Sequence, residues 1–183
     1  DGLRDGVGRP VAGGVAGRAG DIRPRKAACD DAVVTVVLLH GFAQPPSAWG
    51  AVIAALAPAL DPEPVYACPV PGHSAEVAVG AGWDAAIDAL AARVPADAIA
   101  VGYSLGARLA LGLLARDAIA AAVLIGVHPG LDDAGERAAR RAADATWSAM
   151  LRAGSMTGFL DAWEAQPIFA TAARAPAAVR AAR

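Results

Sequence analysis

One five-residue segment, Gly102-Tyr103-Ser104-Leu105-Gly106, constrains the fold of this chain more than any other. It lies between an apolar run at residues 98–101 and a helix-forming stretch at residues 107–116. A G-x-S-x-G segment between a strand and a helix is typical of a strained turn that lifts the serine hydroxyl out of the backbone. Glycine at both ends lets the strand and the helix pack closely around that turn. We therefore predict that Ser104 is a catalytic residue and not an ordinary helix N-cap.

Strand and helix patterns alternate along the chain. Apolar runs predict strands, the first and last of them buried, at residues 33–39, 65–70, 99–103 and 120–127. Helices are predicted behind Ser104, at residues 83–94 and at residues 47–60, where Ser47 would be the N-cap. This alternation predicts an α/β fold with a mostly parallel sheet and flanking helices.

Three segments differ in composition. Residues 1–31 are glycine-rich without an apolar period and are predicted to be a low-complexity tail or linker. Residues 32–131 carry the alternating strands and helices and are predicted to form the core. Residues 132–183 are charged and helical without a further strand, which predicts a helical cap over the end of the sheet.

Composition excludes several classes of protein. The net charge of −2 offers no basis for binding nucleic acid or an acidic membrane surface. No apolar stretch reaches the roughly 20 residues of a membrane-spanning helix. Cys29 and Cys68 have no C-x-x-C spacing, so neither a disulfide framework nor a zinc site is indicated. We expect a cytoplasmic protein without a metal or another cofactor; the composition does not indicate an oligomeric state.

Residues that bear on catalysis also follow the first two strands. In proteins with this type of serine turn, the loop after an earlier strand supplies one oxyanion-hole amide and the residue after the serine supplies the other. These would be the backbone N–H groups of Phe42 and Leu105. His73 follows the second strand but precedes Ser104, whereas the usual order is serine, acid, histidine. A structural or pocket-lining role is therefore favoured for His73, and a loop-fixing role for His40.

Arginines near the serine suggest an anionic ligand. Arg108 lies one helical turn after Ser104 on the same helix face. Because arginine is rarely buried unpaired, either an internal carboxylate pairs with it or it faces the pocket and binds an anionic substrate, which we favour. Arg137, Arg140 and Arg141 share a face of a charged helix, and that pattern alone indicates a solvated surface.

These segments resemble the α/β-hydrolase fold. From residue 128 onward the chain is more specifically similar to the 2-succinyl-6-hydroxy-2,4-cyclohexadiene-1-carboxylate synthase family of menaquinone biosynthesis. The resemblance covers about residues 35–170. Its most specific motifs are His128-Pro129-Gly130-Leu131, Glu136-Arg137, Arg140, Asp144, Trp147 and Trp163-x-x-Gln166-Pro167-x-Phe169.

The resemblance implies a lyase. Family members eliminate pyruvate from 2-succinyl-5-enolpyruvyl-6-hydroxy-3-cyclohexene-1-carboxylate, starting with proton abstraction. Ser104, activated by a histidine, would be the group that abstracts the proton. Tyr103, Arg108, Arg140 and Trp163 would bind the small polyanionic substrate, which reverses the interpretation of Arg140 as a solvated residue.

The chain departs from this family at its C-terminal end. Family members continue through strands that carry the catalytic acid and histidine, whereas this sequence has no histidine after His128. The resemblance therefore implies an α/β-hydrolase sheet without its C-terminal strands, and a chain that is itself weakly active or inactive. Asp132 and Asp133 follow the last predicted strand, where some α/β hydrolases carry the acid. Arg180 or Arg183 lies near the position of a further pocket arginine.

Two alternatives stay open. The chain could belong to a general α/β-hydrolase carboxylesterase or thioesterase. It could also be a non-catalytic fragment, in which the predicted strand at residues 120–127 leaves an apolar sheet edge uncovered.

Overall fold

A computed structural model describes residues 34–60, 64–73, 82–128 and 130–170 of the 183-residue chain. The predicted tail at residues 1–31 lies outside the described residues, as do Arg180 and Arg183. Among the residues that are described, no helix is both long and apolar enough to cross a membrane.

Four parallel strands form the sheet, as the sequence predicts. The strands are β1 (Val36–Leu39), β2 (Val65–Cys68), β3 (Ile99–Tyr103) and β4 (Ala121–Ile125), and they pair in the order β2-β1-β3-β4. At the carboxyl edge, Leu39 of β1 lies opposite Cys68 on one side and Gly102 on the other. The loops after β1 and β2 and the turn at Ser104 therefore meet at one edge, where open α/β sheets bind their ligands.

The last of these strands differs from its prediction. β4 alternates exposed and half-buried residues, and Val123 and Ile125 are 49% and 43% exposed. Ala122 and Leu124 pack toward the core, so within the described residues only one face of this edge strand is covered. The continuous apolar run predicted burial on both faces, and that part of the prediction is wrong.

Five α-helices are present in the described residues. They are α1 (Gly50–Leu60), α2 (Trp83–Ala91), α3 (Leu105–Leu114), α4 (Ala134–Arg152) and α5 (Met156–Glu164). A 3-10 helix, Pro46–Trp49, precedes α1, and Ser47 lies inside it. The prediction of Ser47 as the N-cap is wrong because Pro45 holds that position and a proline begins the helix.

The core lies on both faces of β1, because successive side chains of a strand point to opposite faces. Val37 and Leu39 pack with the buried residues of α2 and α3, among them Ile87, Leu90, Leu109 and Leu113. Val36 and Leu38 pack on the other face with Trp49, against which Ile53 of α1 also lies. Helices on both faces of a parallel sheet confirm the predicted α/β architecture.

Candidate active site

Ser104 occupies a strained turn between β3 and α3. Its backbone has φ 52° and ψ −106°, a conformation that non-glycine residues rarely adopt. The Ser104 N–H donates to the Ile125 carbonyl at 2.9 Å, and the Ser104 carbonyl accepts from the Arg108 N–H at 3.2 Å. Strain of this kind persists only where the surroundings enforce it, and it is concentrated at functional sites. The conformation is the one that the G-x-S-x-G pattern predicts.

The two glycines of the turn are required by close backbone contacts. A Cβ on Gly102 would lie 2.3 Å from the Gly106 carbonyl oxygen. A Cβ on Gly106 would lie 2.0 Å from the carbonyl oxygen of Leu39 at the end of β1. The N-terminus of α3 therefore rests directly on the ends of β1 and β3, as the predicted role of these glycines requires.

The loop after β1 has the expected position for an oxyanion hole. A turn follows β1, in which the Gln44 N–H donates to the Gly41 carbonyl at 3.3 Å and the Gly41 N–H donates to the Gln44 side chain at 3.1 Å. Phe42 lies inside this turn, and Leu105 is the first residue of α3. The first N–H groups of a helix have no acceptor within that helix. The assignment of the Phe42 and Leu105 amides to an oxyanion hole stays a prediction.

Two histidines join the loops after β1 and β2. The Val70 N–H donates to Nε2 of His40 at 3.2 Å, and the Ala43 N–H donates to Nε2 of His73 at 3.1 Å. Nδ1 of His40 lies 2.9 Å from the Gly41 carbonyl oxygen, and Nδ1 of His73 lies 3.2 Å from a carbonyl oxygen of its own loop. Both rings are therefore assigned as neutral, with the proton on Nδ1.

This tautomer excludes both histidines from the role of the base in this arrangement, because each Nε2 lone pair is already engaged. His40 is only 1% exposed. Burial lowers the pKa of His40, the hydrogen bond to Gly41 raises it, and the nearby His73 lowers it further. The hydrogen bonds match the predicted loop-fixing role of His40 and the structural role of His73.

An aromatic cluster connects the loop after β1 with α4 and α5. The Phe42 ring lies 4.8 Å from the Trp163 ring and 5.3 Å from the His73 ring, measured between centroids. Trp163 also lies 5.1 Å from Trp147 and stacks on Phe159 at 5.9 Å. The position of Trp163 beside Phe42 places a predicted substrate-binding residue against the predicted oxyanion loop.

The larger cavity lies beside the C-terminal part of α3. It has a volume of about 680 Å3 and is lined by Arg108, Arg140, His128, Trp83, Leu111 and Asp144, among others. The cavity brings together the two arginines that the sequence predicts to bind substrate. Ser104 is not among its lining residues. The cavity therefore lies next to the serine turn and does not itself contain the serine.

The surroundings of the two arginines differ. Arg108 is exposed, and its face of α3 opens onto the cavity. No ion pair of Arg108 is found among the described residues. Nε of Arg140 donates to both carboxylate oxygens of Asp144, at 2.9 and 3.0 Å. Of these two arginines, Arg140 is thus the one with a carboxylate partner among the described residues.

Tyr103 does not line the cavity that contains the two arginines. A second cavity of about 260 Å3 is lined by Tyr103, Gln44, Ala48, Trp49, Val52 and Ile125. The four predicted substrate-binding residues therefore fall in three places in the described structure: the arginines in the larger cavity, Tyr103 in the smaller one, and Trp163 in the aromatic cluster.

Some site residues were missed or misjudged at the level of sequence. Asp144 lies four residues after Arg140, a spacing from which the ion pair could have been inferred. Trp83, at the start of α2, gives no comparable signal. Asp133 is the N-cap of α4 and accepts from the Glu136 N–H at 2.8 Å. Its carboxylate is thus used in capping, which argues against the idea of a substitute catalytic acid.

Comparisons with known proteins agree with this geometry. The Alpha/beta hydrolase family matches residues 36–183, and the chain belongs to that family. A pimeloyl-[acyl-carrier protein] methyl ester esterase of Aromatoleum aromaticum is 37% identical over 72% of this chain and 50% of its own length.

Other relatives carry a different name. A 2-succinyl-6-hydroxy-2,4-cyclohexadiene-1-carboxylate synthase of Escherichia coli O139:H28 is 32% identical over 74% of this chain and 55% of its own length. The enzyme of that name from Enterobacter sp. strain 638 is 36% identical over 74% of this chain and 54% of its own. The chain thus spans about half the length of the curated relatives it matches. No solved structure matches it.

Proposed function

We propose that this chain carries the serine turn and the anion-binding cavity of a lyase that eliminates pyruvate from 2-succinyl-5-enolpyruvyl-6-hydroxy-3-cyclohexene-1-carboxylate in menaquinone biosynthesis. The observation that carries the proposal is the position of Arg108 one turn behind the strained Ser104, facing a cavity that also contains Arg140. The relatives named 2-succinyl-6-hydroxy-2,4-cyclohexadiene-1-carboxylate synthase support it.

The proposed reaction begins with abstraction of a proton from the ring and ends with elimination of pyruvate. A base removes the proton from the ring carbon that bears the succinyl group, and the electron pair left behind forms the first ring double bond of the product. The existing ring double bond shifts by one position, and the bond from ring carbon to the enolpyruvyl oxygen breaks with its electron pair on oxygen. The enolate so released takes up a proton at its methylene carbon, which balances the one removed from the ring, and becomes pyruvate. The Ser104 oxygen would abstract the proton after losing its own to a histidine. Neither His40 nor His73 is free for that step.

Negative charge develops during this reaction at the carbonyl of the succinyl group, next to the carbon that loses its proton. Backbone N–H donors aimed at such an oxygen stabilise the transition state more than the ground state. The amides of Phe42 and Leu105 are proposed for this role. Arg108 is proposed to hold a carboxylate of the substrate, because a guanidinium matches a carboxylate with two parallel hydrogen bonds.

A second function is favoured by the 37% identity to an esterase. In an esterase, Ser104 would attack the ester carbonyl, and the same two amides would stabilise the tetrahedral intermediate. The geometry of the serine turn suits both reactions. The reaction products distinguish the two functions.

The test compares products for this chain and for the same chain joined to the C-terminal region of one of the synthase relatives. Each protein is given the succinylated enolpyruvyl substrate and, separately, a methyl ester, and pyruvate and methanol are measured. The proposal expects pyruvate from the joined protein. Methanol without pyruvate from that protein would contradict the lyase and support the esterase.

Variants of two arginines test whether Arg108 binds the substrate. Arg108→Ala is expected to lower kcat/KM for elimination by the equivalent of about 2–4 kcal/mol, through loss of a charge pair with a substrate carboxylate. Arg116→Ala is the matched control, since it removes the same charge from a residue that is bound to Asp84 and Asp88 and does not line the cavity. Equal losses in both variants would exclude a specific role of Arg108.

A further inference from the structure

We infer that His73 is a positioning residue for the proposed oxyanion loop, acting together with His40 in a crossed pair of hydrogen bonds. The inference rests on the proposed function in one respect only: the Phe42 amide is taken as an oxyanion donor. The rest follows from hydrogen bonds between two loops at the carboxyl edge of the sheet.

The crossed pair consists of one histidine from each loop, and each accepts an N–H from the other loop. His40, after β1, accepts from Val70, and His73, after β2, accepts from Ala43. The two rings meet edge to face, with centroids 5.4 Å apart and planes inclined by 72°. Because the hydrogen bonds run in opposite directions between the loops, a shift of either loop stretches at least one of them.

The bond from His73 acts on the peptide unit that follows Phe42. Ala43 has φ 58°, a left-handed conformation that is rare for a residue with a side chain. The N–H of Ala43 belongs to the same peptide plane as the carbonyl of Phe42, so the acceptor at His73 Nε2 fixes that plane at 3.1 Å. The His73 ring also packs against the Phe42 ring at 5.3 Å. His73 therefore restrains the residue whose N–H is proposed to stabilise the developing charge.

The hydrogen bond from the Ala43 N–H to His73 requires a neutral His73 ring. Protonation turns Nε2 from an acceptor into a donor, and a donor cannot bond to the Ala43 N–H. Among the residues that the structure describes, the rings in contact with His73 are those of His40 and Phe42, and the Pro71 carbonyl oxygen lies 3.2 Å from its Nδ1.

Two variants separate positioning from simple packing. In His73→Gln a side-chain carbonyl can still accept from the Ala43 N–H. In His73→Leu no acceptor is left. We expect the Ala43 amide hydrogen to exchange about tenfold faster in His73→Leu than in the unaltered chain, and at nearly the unaltered rate in His73→Gln.

The decisive measurement on the unaltered chain needs no activity. Nitrogen NMR should show His73 with its proton on Nδ1, together with a scalar coupling across the hydrogen bond from the Ala43 N–H to Nε2. A proton on Nε2 at neutral pH, or no coupling, would overturn the inference even if His73→Leu does not fold.

Turnover separates this inference from the proposed function. In the joined protein described above, His73→Leu should lower kcat about tenfold with little change in KM, and His73→Gln should restore most of it. If exchange at Ala43 responds as expected but no pyruvate is formed by any variant, the positioning role stands and the proposed function fails. Equal kcat in His73→Leu and the unaltered protein would contradict the positioning role.

Discussion

The two ends of α3 are built differently. At the N-terminal end, the backbone oxygen of Leu39 would lie 2.0 Å from a Cβ on Gly106, so no side chain fits there. Toward the C-terminal end, Arg108, Leu111 and Gly112 border a cavity of about 680 Å3. The serine end is thus fixed by backbone contacts, whereas Arg108 and Leu111 expose their side chains beside the cavity. Substitutions should consequently affect folding at the first end and ligand binding at the second.

The largest effect is expected for Gly106→Ala. Its Cβ would overlap backbone atoms of Leu39 and His40, which cannot move without displacing β1. We expect the free energy of unfolding to fall by about 3 kcal/mol, the upper part of the range for overpacking. Gly50→Ala is the control, because nothing lies within 4 Å of the added Cβ and its φ of −52° is helical. Equal urea midpoints for the two variants would refute the close packing of the serine turn.

His40→Leu should cause the next largest loss in the free energy of unfolding. The change leaves the buried Val70 N–H and the Gly41 carbonyl without their side-chain partner, a loss of about 2 kcal/mol in the free energy of unfolding. Urea unfolding at neutral pH measures this loss. A stability equal to that of the unaltered chain would contradict the crossed hydrogen bonds.

The pH dependence of stability gives an independent prediction. Because burial holds the pKa of His40 below its ordinary value of 6.5, the unfolded chain takes up a proton at a higher pH than the folded chain. The His40 contribution is therefore complete above about pH 6.5 and is lost as the pH falls through the lowered pKa. Unfolding by urea at a series of pH values should show this acid loss in the unaltered chain, and a smaller one in His40→Leu. Parallel pH profiles would show that His40 is not the cause.

The strain at Ser104 predicts a smaller difference between two substitutions. Ser104→Gly and Ser104→Ala both remove the hydroxyl, but only glycine adopts φ 52° without strain. After the greater flexibility of glycine in the unfolded chain is subtracted, the glycine variant should be more stable by about 1 kcal/mol. Thermal unfolding of the pair checks this, and a more stable alanine variant would argue against a strained turn.

The smallest effects are expected at the cavity end. Arg116→Ala removes ion pairs to Asp84 and Asp88 that are largely exposed, so stability should fall by about 0.5 kcal/mol. Arg108→Ala should change it by less, since no ion pair of Arg108 is found among the described residues. Urea unfolding of both variants provides the comparison. A loss above about 2 kcal/mol in Arg108→Ala would mean that this side chain supports the fold.

The sequence predicted the strands and the serine turn well because their signals are local. Residues 99–103 were predicted as a strand and form β3. Gly102 and Gly106 lie so close to neighbouring backbone atoms that no side chain would fit, as the G-x-S-x-G pattern predicts. The fragment hypothesis anticipated an uncovered edge at β4 but not the exposure of one of its faces, because burial depends on what covers a sheet face and not on the apolar run itself. The prediction of Ser47 as N-cap was wrong because a proline just before it begins the helix.

The site was only partly predictable. Arg108 and Arg140 do line one cavity, but helical spacing from Ser104 could not indicate that Arg108 is exposed or that Tyr103 borders a different cavity. The crossed bonds of His40 and His73 join residues 30 positions apart in the chain, and no local pattern encodes such pairs. The cytoplasmic location and the division into a core at residues 32–131 and a cap at residues 132–183 stay predictions.

The proposed roles of Ser104 in catalysis and of Arg108 in substrate binding are tested most directly by single-turnover release of pyruvate from the succinylated substrate. The joined protein is compared with its Ser104→Ala and Arg108→Ala variants, each at a series of substrate concentrations. The predicted result is a loss of the maximal rate without weaker binding in Ser104→Ala, and weaker binding as the main effect in Arg108→Ala. An unchanged maximal rate of pyruvate release in Ser104→Ala would contradict the account.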